Sequence, residues 1–111
     1  MSHDERRRHP RFPVSVAVQL SFAAERFSGR LKDVCRDAVL VEVPRSLALG
    51  DEVALALELP GTGGPLQVVG HVVRTAPVEN GGLDVAVLFS DLNPTAETRI
   101  EFFIAQQTRE F

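Results

Sequence analysis

Three features of the chain predict an all-β fold: a six-stranded antiparallel β-barrel with one C-terminal α-helix. Six short apolar or alternating runs are separated by turn-forming residues. After the last of them the apolar period changes from two residues to 3.6. The 111 residues, 44% hydrophobic and 24% charged, have the size and balance of one globular domain with a single core.

The first run is the clearest. Phe12, Val14, Val16, Val18, Leu20 and Phe22 are apolar, and Pro13, Ser15, Ala17, Gln19 and Ser21 lie between them. This is the alternation of a strand with one face on a core. A second strand is expected over Phe27–Val34. A third follows over Ala38–Val43, with Val39, Val41 and Val43 on one face. Asp51–Leu59 alternates again through Val53, Leu55, Leu57 and Leu59, and Leu66–Arg74 and Leu83–Phe89 complete the set. Pro60-Gly61-Thr62-Gly63-Gly64-Pro65 reads as a hairpin turn, because it lacks the Gly-Lys-Ser/Thr ending and the following helix of a phosphate loop. Glu79-Asn80-Gly81-Gly82 contains Asn-Gly, a strong hairpin signal. Closure hides the edges of so many short strands, so a barrel is expected over 12–89.

The tail reads as a helix over 94–109. Asn93 is the expected N-cap and Pro94 the first helical residue. Ala96, Ile100, Phe103, Ile104 and Gln107 share one face. Phe102 projects away from that stripe, near Arg99, Ala105 and Arg109. An exposed aromatic beside arginines has the composition of an interface hot spot, which makes Phe102 a candidate partner-binding residue. A helix clasped in a wide barrel mouth would instead bury it as core. No repeat, linker or low-complexity tract divides the chain. One domain over 1–111 is expected, with residues 1–11 as a flexible basic arm.

Several function classes are excluded on these grounds. No apolar run exceeds five residues, the length of Val85–Phe89, far short of a membrane span, and the charged start Met1-Ser2-His3-Asp4-Glu5-Arg6 leads into no signal-type hydrophobic stretch. A lone cysteine, Cys35, fits a reducing compartment, so a cytoplasmic protein is expected. Three histidines, one cysteine and scattered carboxylates form no catalytic or metal-ligand spacing, so neither an enzyme nor a metal site is expected. Net charge is −3, but the arm carries Arg6, Arg7, Arg8 and Arg11 against Asp4 and Glu5, which leaves the body acidic. An acidic body without Trp or Tyr, with Lys32 as its one lysine, disfavours a barrel that binds single-stranded nucleic acid.

The arm is a candidate anion site. Pro10 keeps His9 extended and blocks a helix, so Arg7, Arg8 and Arg11 sit on a semi-stiff loop before the first strand. Guanidinium groups bind phosphate and the guanine edge bidentately. Arg7-x-x-x-Arg11 directly before a barrel strand resembles the first motif of PilZ domains, bacterial receptors for cyclic di-GMP. The second motif of that family is Asp/Asn-x-Ser-x-x-Gly at the turn into the third strand. Asp33-Val34-Cys35-Arg36-Asp37-Ala38 holds that register, and the resemblance spans about residues 5–110.

The resemblance implies that Arg7 and Arg11 clamp phosphate and guanine, with Arg8 as a neighbouring cation. It implies that Asp33 accepts from a guanine N–H edge and that Cys35 stands in the serine's place. No cofactor is implied beyond cyclic di-GMP as ligand. The departures weaken that binding. A thiol is a poor donor beside a hydroxyl, a loss of about 1 kcal/mol. Alanine for glycine at Ala38 costs roughly 1–2 kcal/mol more where positive φ or close approach is needed. The implied function is that of a stand-alone receptor and adaptor regulating motility or a surface-associated output through a protein effector. A PilZ-like interaction module that has lost the nucleotide is the alternative. The sequence leaves monomer and homodimer open.

Overall fold

The structure, a computed structural model, describes residues 12–61, 63–79 and 81–108. Its elements follow one another as β1 (Phe12–Phe22), β2 (Glu25–Val34), β3 (Ala38–Val43), β4 (Glu52–Leu57), β5 (Leu66–Pro77), β6 (Leu83–Ser90) and α1 (Pro94–Thr108). The strands close into an antiparallel barrel in the order β1-β2-β3-β6-β5-β4. The all-β class, the six strands and the terminal helix are therefore as the sequence predicts.

Alternation fills the barrel. Val18 and Leu20 of β1, Leu31 and Val34 of β2, and Val39, Val41 and Val43 of β3 are buried, as are Val53, Leu55 and Leu57 of β4. Their in-between neighbours on β3 and β4 are less buried. Each fully buried Leu or Val contributes about 1.5–3 kcal/mol of transfer free energy, so this inward row is the main source of stability. The wall is tight at Gly70, where a Cβ would lie 2.5 Å from the Leu88 carbonyl oxygen across the β5–β6 pairing. The Pro60–Pro65 segment is a turn as expected, with Gly61, Gly63 and Gly64 at φ between 80° and 105°, a region glycine adopts without strain.

One end of the barrel is covered by α1. The cap forms as its chemistry dictates: the Ala96 N–H donates to Asn93 Oδ1 at 2.8 Å, and the Glu97 N–H donates to the Asn93 carbonyl at 3.0 Å. Ala96, Ile100 and Phe103 face inward and join the core cluster, with Ile104 packed against it. Two flanking contacts hold the helix laterally. Arg99 donates to the Gly64 carbonyl in the β4–β5 turn, and Arg36 in the β2–β3 turn pairs with Glu101. No helix among the described residues is long and apolar enough to cross a membrane.

Candidate functional site

The sequence motif Asp33–Ala38 folds as the turn between β2 and β3. Val34 pairs with Val39 and Asp33 with Leu40, so the two strands part just beyond the motif's first residues. Leu40 lies between the buried Val39 and Val41, and Asp33 shares with it the outer face of the barrel wall. The turn is fixed by backbone bonds. The Cys35 N–H donates to the Ala38 carbonyl at 2.9 Å, and the Phe89 N–H of β6 donates to the Asp37 carbonyl at 2.8 Å. On the other side of β2, Phe12 pairs with Val34 and Pro13 with Asp33. The start of β1 is thereby anchored beside the turn, and Arg11 is the residue that precedes it in the chain. Arg7, Arg8 and Arg11 themselves lie outside the described residues.

Cys35 is 8% exposed, and its thiol reaches Asp37 Oδ1 at 3.2 Å. Burial pushes the thiol pKa up, and the carboxylate of Asp37 adds to the rise. The group stays a thiol at neutral pH, a weak donor already directed at a carboxylate. Ala38 departs from one expectation. It is not among the described non-glycine residues with positive φ, which are Ala23, Ala24 and Asp91. It sits in an ordinary strand conformation opposite Leu88, so the strain term for alanine here does not apply. Only the added methyl remains as a difference from glycine.

One cation directly precedes the motif and another lies within it, and sequence reasoning assigned neither a role. Lys32 occupies the irregularity between the Leu31 and Asp33 pairings, and its ammonium donates to both carboxylate oxygens of Asp84 on β6, at 3.0 and 2.9 Å. Arg36 lies inside the turn, with Nη2 donating to Glu101 Oε2 at 2.8 Å. A cation placed within the motif register was the signal for Arg36. Its helix partner, 65 residues away, left none. Along the outer face, Ala38 opposes Leu88 and Leu40 opposes Ala86, a partly exposed apolar strip beside Asp33. Phe102 lies 45% exposed on the outer side of α1, as the face argument required, while neighbouring Phe103 is 2% exposed. Among the described residues no group of three His, Cys, Asp or Glu side chains could hold a metal ion.

The PilZ domain family matches the chain over residues 5–106, from the arm through most of α1. The chain belongs to the PilZ domain family. Solved PilZ structures share its fold. The PilZ domain of YcgR from Escherichia coli with c-di-GMP aligns with a TM-score of 0.75 at 18% identity, covering 95% of this chain and 93% of that one. The MrkH–c-di-GMP complex of K. pneumoniae aligns at 0.78 and 16% identity, covering 95% and 53%. The Bacillus subtilis Inhibitor of motility, MotI, aligns at 0.75 and 16%, again covering 95% and 53%. The chain thus spans about half the length of MotI and MrkH. At these identities the likeness is one of fold. No curated protein matches the chain in sequence.

Within the PilZ frame, the structure brings together Asp33, Cys35 and the start of β1, and it places Phe102 elsewhere, on the helix.

Proposed function

We propose that this PilZ protein is a cytoplasmic, non-enzymatic receptor for cyclic di-GMP that acts through a protein partner on motility or a surface-associated output. The observation that carries the reading is the register of β1 on β2. Phe12 opposite Val34 and Pro13 opposite Asp33 put the start of β1, the segment that follows the arginines in the chain, beside the motif carboxylate. Arg7, Arg8 and Arg11 would then supply bidentate donors to the phosphates and the guanine edge, and Asp33 would accept from a guanine N–H. The c-di-GMP complexes of YcgR and MrkH, and the inhibition of motility by MotI, support the same ligand and output.

A second reading has its own observation. Cys35 is buried with its thiol on Asp37, so the position that carries a hydroxyl in the family offers the ligand little. On that reading the protein is an interaction module without the nucleotide. Isothermal titration with cyclic di-GMP separates the two. The receptor reading expects measurable binding that weakens at least about tenfold for each of Arg7→Ala and Arg11→Ala, because each removes a charge-assisted contact. Absence of binding to the folded wild type, or equal binding by the double variant, favours the module.

A further inference from the structure

We infer that Arg36 is a further phosphate ligand of this site, held in reserve by Glu101, so that an anionic nucleotide arriving at the β2–β3 turn draws Arg36 away and releases one lateral tie of α1. The inference rests on the nucleotide reading above and adds to it a residue and a route to the helix.

The turn is rigid where it must be and loose where it can move. Its backbone is held from both sides, by Cys35 to Ala38 and by Phe89 to Asp37. The Arg36 side chain has a single described partner contact, at 2.8 Å, and the paired side chains are 51% and 48% exposed. An exposed pair of this kind is weak and screened by salt. A phosphodiester offers the same guanidinium two oxygens for a two-point contact, against the Nη2–Oε2 contact made to Glu101. Exchange of one partner for the other is therefore downhill once a phosphate is within reach.

Lys32, directly before the motif, is the contrast. It holds both oxygens of Asp84, and those side chains are 29% and 20% exposed. Both partners belong to the barrel wall, so displacing Lys32 would move nothing. Glu101 belongs to α1 and directly precedes the exposed Phe102. Losing Arg36 removes a lateral tie of the helix while the inward contacts of Ile100 and Phe103 remain. The face that is loosened is the outer one around Glu101 and Phe102, and by reciprocity a partner that binds that face would raise nucleotide affinity.

The test is titration of cyclic di-GMP into the full chain and into Glu101→Gln and Arg36→Gln, with amide hydrogen exchange of α1 read in parallel. Glu101→Gln is expected to bind about two- to fivefold tighter, because Arg36 no longer has to leave a carboxylate. Arg36→Gln is expected to bind about tenfold weaker. Nucleotide should speed exchange in the second half of α1 in the wild type and leave it unchanged in Glu101→Gln, where it is already fast. Wild-type affinity in Arg36→Gln, or no gain in Glu101→Gln, overturns the inference and leaves the receptor reading standing. Binding by Glu101→Gln alone, with a silent wild type, supports it. Silence in all three chains removes the receptor reading and this inference together.

Discussion

The helix α1 and the β2–β3 turn meet at the same end of the barrel, and they are held by different forces. The helix is seated by apolar burial: Ile100 is 0% and Phe103 2% exposed, and both belong to the core cluster. The turn from Cys35 to Ala38 buries the small Cys35 side chain outside the core cluster. It depends on two backbone hydrogen bonds, and only the exposed Arg36–Glu101 pair is described between it and the helix. Burial of hydrocarbon is large and indifferent to salt, whereas an exposed pair is worth little and is screened. The seat of the helix is therefore permanent and its tie to the turn adjustable, which is the division a ligand-responsive turn requires.

Removing the seat gives the largest effect. Phe103→Ala deletes a fully buried aromatic where helix and barrel interdigitate, at an expected cost of about 3–5 kcal/mol. For a domain of this size that is a drop of more than about 10 °C in melting temperature by calorimetry. A loss below about 1 kcal/mol would show that the barrel is stable without its helix, and the contrast between the two regions would fail.

The turn should respond on a smaller scale and through a different variable. Cys35→Ser replaces a weak donor by a hydroxyl in the same place, and cyclic di-GMP should bind tighter by about fivefold, the equivalent of about 1 kcal/mol. Unchanged affinity would mean that this side chain serves Asp37 and not the ligand. The thiol also gives the turn a pH dependence. Because burial raises the Cys35 pKa in the folded state, its proton is held more tightly there than in the unfolded chain. Stability from this source is complete below the ordinary thiol range of the unfolded chain and is lost as the pH rises through the higher folded value. Denaturant midpoints measured from neutral pH to above 9 should fall more steeply for the wild type than for Cys35→Ser.

The same contrast explains what the sequence could reveal. The seated parts were legible because burial writes itself as periodicity. The alternation from Phe12 to Phe22 has the bounds of β1, and the 3.6 period with Asn93 ahead of it located α1 to within a residue or so. Legibility failed where the backbone departs from its usual residue chemistry. The β1–β2 connection is made by Ala23 and Ala24 at φ 53° and 68°, with neither Gly nor Asn to announce it, so β2 begins at Glu25 and not at Phe27. The irregular register between Val72 and Arg74 breaks the alternation of β5, which runs on to Pro77. In the site, Asp33 and Cys35 fall at the motif turn because their spacing is local. The partners of Lys32 and Arg36 lie 52 and 65 residues away, and no spacing rule connects them.

The smallest expected effect is also the sharpest check on the helix. Phe102 and Phe103 are consecutive, of equal size, and differ in direction by about 100°. One is 45% exposed and the other 2%. If the helix is seated only by its inward face, Phe102→Ala should shift the unfolding free energy by no more than about 0.5 kcal/mol, against several for its neighbour. A folded, equally stable Phe102→Ala protein is then a clean reagent for the outer face, since any loss of partner binding by it reports contact and not unfolding. A cost of 3 kcal/mol or more would place this ring in the core and move the partner surface off the helix.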